Sequence, residues 1–153
     1  MKTLDNELDK TNLLQRLGQL RPESQRQWGK MSPHQMVCHL TDSFKAVNGE
    51  RNPNRAEPSL LGRTLVRWIA LYAPFNWPHG VPTRSEVDQE QGGTPPVEFA
   101  RDVDDLKSVV KRFMDPTRDF RSARHPMFGE MSPREWRRWG YLHMDHHLRQ
   151  FGL

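Results

Sequence analysis

The sequence predicts an all-α domain. Four stretches repeat apolar residues every three to four positions, no stretch alternates polar and apolar residues for long, and the 12 prolines cluster where the helical patterns stop. At 153 residues the chain is expected to form one domain, residues 1–153, with a core that needs no staples.

The first segment, residues 4–20, sets Leu4, Leu8, Leu13, Leu14, Leu17 and Leu20 at helical spacing, with Asp5, Glu7, Asp9 and Lys10 between them. The second, residues 33–48, holds Met36, Leu40, Ala46 and Val47 on one side. An extra helix is expected over residues 60–73, which contain Leu61, Leu65, Trp68, Ile69 and Tyr72 and end at Pro74. Residues 74–98 carry Pro74, Pro78, Pro82, Pro95 and Pro96 with Gly80, Gly92 and Gly93, and read as a long connection laid over the helices. Residues 102–114 show the cleanest stripe, Val103, Leu106, Val109, Val110 and Phe113. Residues 133–150 form the last helix. Tryptophans and methionines at helical spacing are expected mostly in the core.

A degenerate repeat marks two of these starts. Gly29-Lys30-Met31-Ser32-Pro33-His34-Gln35-Met36 recurs as Gly129-Glu130-Met131-Ser132-Pro133-Arg134-Glu135-Trp136. The serine accepts from an otherwise unpaired backbone N–H, and proline at the first helical position loses no bond. Gln35 or Glu135 reaches back from the third.

Composition removes several classes of function. No run approaches the ~20 apolar residues of a membrane span, and Met1 to Glu7 carry no signal-peptide core. The single cysteine, Cys38, cannot form an internal disulfide, so a cytoplasmic address is expected. Its neighbour His39 points about 100° away on a helix, so the two do not make a dyad by adjacency, and Cys38 reads as a small, partly buried thiol. The net charge of +4 implies only weak attraction to anions. Arg137 and Arg138 fall on the opposite helical face from Trp136 and Trp139, which leaves no stacking platform for nucleic acid.

Chemistry concentrates in the 7 histidines. Taking His143 as the origin, Trp136, Trp139, Gly140 and His147 lie within about 60° of it. Arg134, Arg137, Arg138, Asp145 and Arg149 take the other side, where Asp145 and Arg149 can pair. His143 and His147 therefore project from the buried stripe one turn apart, and His146 is turned about 60° aside. Counted from Ser32, His39 faces a similar way to His143 and His147 counted from Ser132. Two imidazoles at i,i+4 suit a divalent metal, and a third from another helix would complete a set with an open position. The competing reading is ordinary hydrogen-bonded core histidines. Met144 stands where a zinc-protease glutamate would be, no Glu-x-x-His triplet supports a dicarboxylate centre, and no nucleophile elbow or phosphate loop occurs.

Trp28-Gly29-Lys30-Met31-Ser32, His39-Leu40-Thr41-Asp42-Ser43, His125-Pro126-Met127-Phe128-Gly129 and the tail from His143 to Gly152 resemble the DinB-like (YfiT-like) metalloenzyme superfamily. In particular they resemble its branch with a C-terminal H-x-D-H-H-L-R-Q-F-G ending. The resemblance implies a four-helix bundle of up-down-down-up connectivity, with the extra segment crossing between the second and third long helices. It implies a divalent metal, zinc or nickel, on His39, His143 and His147. Relatives include metal-dependent hydrolases and S-transferases using low-molecular-weight thiols, and homodimers are common.

The expected function is accordingly a metal-dependent enzyme. The ion would act as a Lewis acid toward water or a thiol, in hydrolysis of or thiol transfer to a small electrophilic substrate. His125 and Asp42 are candidates for orienting the ligands or moving protons. The alternative is a non-catalytic helical bundle, with structural or adventitious metal, that works through dimerisation or a protein partner.

Overall fold

Two helices start at the repeated Gly-x-Met-Ser-Pro sequence, as expected. In the computed structural model, which describes residues 1–51 and 59–153, α2 (Pro33–Asn48) and α5 (Pro133–Arg149) each open on a complete capping box. Ser32 Oγ accepts from the Gln35 N–H at 3.1 Å, and the Gln35 side chain accepts from the Ser32 N–H at 2.8 Å. Ser132 and Glu135 reproduce both bonds at 3.3 and 2.9 Å. Each pair satisfies donors that the first helical turn leaves without partners.

The other helices are α1 (Glu7–Gln19), capped by Asn6, α3 (Arg67–Tyr72) and α4 (Phe99–Phe113), capped by the Glu98 carboxylate. A π-helical turn, Gly62–Val66, leads into α3, and a 3₁₀ turn, Ser85–Val87, interrupts the long connection before α4. The described residues are all-helical. Their one β-type pairing is between His125 and Gly129, which exchange two backbone hydrogen bonds of 2.8 Å. None of these helices is long and apolar enough to cross a membrane.

α2 packs along α4, α1 along α5, and α5 also touches α2 and α3. The apolar stripes of α1, α2, α4 and α5 meet in a common core that includes Leu13, Leu17, Met36, Leu40, Leu106, Met144 and Leu148. Its centre is aromatic. Phe44, Phe113, Phe120, Trp136 and Trp139 contact one another with ring centroids 4.9–6.3 Å apart, a geometry worth about 0.5–1.5 kcal/mol per pair beyond area burial.

Two expectations are corrected. Arg137 is buried rather than on a solvent face. Its guanidinium lies 5.8 and 5.3 Å from the Phe113 and Phe120 rings, and its Nη2 donates to the Asp115 carbonyl at 2.8 Å. An arginine stem and planar head cover aromatic surface that would otherwise meet water. Conversely, Leu61, Leu65, Trp68, Ile69 and Tyr72 are all exposed, although the sequence pattern marks them as a stripe. The side of this segment turned toward the protein carries smaller groups, Gly62, Val66 and Ala70, together with Leu71. The Asp145–Arg149 pair forms at 2.9 Å, and α1 also joins it through Arg16 at 2.7 Å.

Candidate metal centre

His39 projects from the middle of α2, and His143 and His147 from successive turns of α5. Their ring centroids lie 4.7–5.2 Å apart, and one nitrogen from each falls within 4.8 Å of the other two. His39 Nε2 and His143 Nε2 are separated by 3.2 Å. Two nitrogens held at ~2.0–2.1 Å around a tetrahedral ion stand roughly 3.3 Å apart.

The far nitrogens of two of these rings are fixed. The Val87 carbonyl accepts from His39 Nδ1 at 2.8 Å, and Gln150 Oε1 accepts from His147 Nδ1 at 3.1 Å. Gln150 has its amide orientation set in turn, because Nε2 donates to the Trp28 carbonyl at 3.0 Å. A carbonyl oxygen can only accept, so both imidazoles carry their proton on Nδ1 and present a bare Nε2. The Nδ1 of His143 is buried and has no partner among the described residues. Burial, foremost, holds all three rings below the ordinary histidine pKa, His143 and His147 well below it. Charge on the neighbouring imidazoles adds to this for His143 and His147. The trio is therefore neutral at pH 7, the state a cation requires of imidazole.

Both repeat glycines adopt positive φ, 74° at Gly29 and 71° at Gly129. At Gly29 space is short as well: an added Cβ would sit 2.6 Å from Gln150 Nε2. The segment before α2 thus closes against the side chain that orients His147.

The other two candidates do different work. Asp42 is fully buried. It accepts from Arg51 Nη1 at 2.8 Å, from the Thr94 N–H and Oγ1 at 2.7 Å each, and from Gln89 Nε2 at 3.2 Å. These bonds pin residues 89–94 to α2, and with them the nearby turn that supplies the Val87 carbonyl. Asp42 thus acts on His39 through the backbone, and its two oxygens are already committed. His125 stacks on Phe128 at 4.1 Å and lines the same cavity as the trio. Its Nδ1 accepts from the Met127 and Phe128 N–H groups, both at 3.2 Å, which places its proton on Nε2. Burial, with a smaller contribution from the Arg84 charge, pushes its pKa down to about 3. Near neutrality His125 is a fixed N–H donor.

The cavity has a volume of about 750 Å³ and walls of mixed origin: Val47, Val66, Trp77, Phe128 and Trp139 among its apolar groups, and the three imidazoles among its polar ones. His146 contributes from the adjoining side of α5. Burial, then the Arg149 charge, lowers it to about 4. Its ring neighbours are His147 at 5.2 Å and Trp28, Trp77 and His79 at 6.0–6.3 Å, and Trp28 and His79 stack on each other at 3.9 Å.

Sequence reasoning overlooked Gln150, Val87 and the Trp28–His79 stack. Gln150 follows His147 by three residues on the same helical side, a spacing that would have found it. A backbone carbonyl such as that of Val87 has no sequence signature. Also overlooked was a second close group on α2. His34 Nε2 is 2.7 Å from Asp102 Oδ2, and Cys38 Sγ is 3.7 Å from the same oxygen. Burial, followed by the Asp102 charge, pushes the Cys38 thiol up to about 12, so it stays protonated.

Residues 3–152 match the family model described as "Protein of unknown function (DUF1569)", and the chain belongs to that family. No curated protein and no solved structure matches the chain significantly.

Proposed function

We propose that this protein is a divalent-metal-dependent enzyme of DinB-like type, acting on a small electrophilic substrate by hydrolysis or by transfer to a low-molecular-weight thiol. In this reading α1, α2, α4 and α5 form an up-down-down-up four-helix bundle, and His39, His143 and His147 hold zinc or nickel. The observation that carries it is the convergence of three neutral imidazoles, two with their Nδ1 protons tied to oxygen acceptors, in the wall of a cavity large enough for a small molecule.

When bound, the ion would supply Lewis acidity and lower the pKa of a water or thiol beside it. The protein's own groups do the rest. The Val87 carbonyl and Gln150 hold two rings in one tautomer and one orientation. Val47, Val66 and Phe128 exclude water and receive an apolar substrate body. His125 offers an N–H that does not titrate in the neutral range.

Elemental analysis of gently purified protein and its His143→Ala variant tests the reading. The wild type should carry about one zinc or nickel per chain, and the variant well below that. Full occupancy in His143→Ala would remove this ring from the site, and a wild type that binds neither ion would end the proposal. A screen of the metal-loaded protein with thiols and electrophiles then tests turnover.

A further inference from the structure

His125 is held by its own turn and by three aromatic rings. Its backbone exchanges two hydrogen bonds of 2.8 Å with Gly129, and its Nδ1 accepts from the Met127 and Phe128 N–H groups at 3.2 Å. Phe128 stacks on the ring at 4.1 Å, and Trp136 and Trp139 flank it at 5.9 and 5.7 Å. An asparagine side chain could accept from the same turn, as asparagines commonly do. What the imidazole adds is a donor on its opposite edge. No acceptor among the described residues meets that Nε2–H, and the ring lines the cavity. Polar groups inside proteins are normally paired, so a donor left over in a largely apolar wall calls for an acceptor brought by a ligand.

We infer that the cavity takes an uncharged molecule with a flat apolar body and a carbonyl-type oxygen, and that His125 Nε2–H binds this oxygen. The inference rests on the reading above of this cavity as the substrate site. Charge around the cavity cancels: Lys30, Arg84 and Arg124 stand against Glu86, Asp88 and Glu90, and none of the six is buried. Arg84 pairs with Glu86 at 2.6 Å, and Arg124 with Glu130 at 2.6 Å. Burial keeps His125 itself neutral near pH 7, so it donates without drawing anions as an imidazolium would. Trp139 joins the two polar features of the wall, its ring 5.7 Å from His125 and 4.9 Å from His143. A flat body laid along this stretch of wall spans both. His125 is thus a specificity-determining residue, selecting for the oxygen.

Ligand-observed NMR titration of the full chain tests this with acetophenone, α-methylstyrene (the same shape with C=CH2 in place of C=O), benzoate and phenyltrimethylammonium. Acetophenone should bind about 10-fold tighter than α-methylstyrene, the worth of one hydrogen bond. His125→Asn keeps an acceptor for the turn, and His125→Phe keeps the stack on Phe128; both should abolish the preference, with thermal melts confirming that each variant is folded. In the chelated chain the preference should persist, and both ions should bind more weakly than acetophenone. A wild type without the preference, its survival in a folded variant, or tighter binding of either ion to the chelated chain would overturn the inference. So would a preference that vanishes on chelation, which would give the oxygen to the metal. The metal reading itself stands or falls separately, on the elemental analysis.

Discussion

Helix α2 carries two clusters of metal-type side chains one turn apart, and they differ in readiness rather than in spacing. His34, Cys38 and Asp102 are as close together as His39, His143 and His147, each group within 4.8 Å. In the first cluster the shared carboxylate oxygen is spent internally. Asp102 Oδ2 meets His34 and Cys38 and also accepts from the Val97 N–H at 3.0 Å, and the thiol is held neutral. That cluster is a clip fastening the start of α2 to the start of α4. In the second cluster the His39 and His147 rings are held from behind, which leaves their Nε2 atoms unprotonated on the inward side, while His143 has no partner behind its ring among the described residues. Proximity alone does not make a cation site; the direction of the second hydrogen bond decides.

Acid should expose the contrast most strongly. In the metal-free protein the cavity histidines are depressed, His146 to about 4 and His125 to about 3. The unfolded chain takes up protons below an ordinary histidine pKa of ~6.5, whereas the folded chain does not. Stability is therefore complete above that value and falls as pH drops toward the folded values. The slope should approach about 1.4 kcal/mol per pH unit for each such histidine. Denaturant melts at pH 7.5, 5.5 and 4.5 measure this, and a flat profile would show the cavity open to water.

Gln150→Ala should weaken metal binding about 10–100-fold, because it releases the His147 ring while leaving the imidazole in place. Competition titration against a chelator reads the change, and unchanged affinity would make the Gln150 contact incidental. The smallest effect is expected in the clip. Cys38→Ser keeps a donor for Asp102 and should alter stability by about 1 kcal/mol or less, with metal stoichiometry still about one per chain. Loss of a second metal equivalent in that variant would reverse the comparison.

The legible parts of this molecule are those governed by short-range rules. Capping is settled within four residues, so Ser32 and Ser132 mark their helix starts in the sequence as plainly as in the structure. Face counting brings His143 and His147 to one side of α5 because both sit on the same rigid element. The outward ridge of residues 61–72 was illegible in one respect. Periodicity says which side chains share a face but not whether that face meets anything. Arg137 was misplaced for a related reason: the aromatic surface of Phe113 and Phe120 that covers it comes from distant chain. The Val87 carbonyl was invisible because its position depends on Asp42 holding a loop some fifty residues away in sequence.

His39 and His143 lie 104 residues apart in the chain. No early, locally structured form holds both rings together, so an ion needing both would bind the finished molecule and ignore the nascent one. By mass action, free metal at a hundred times its dissociation constant would then add about 2.7 kcal/mol to the folded state. Cellular metal supply would set how long the polypeptide survives as well as what it does.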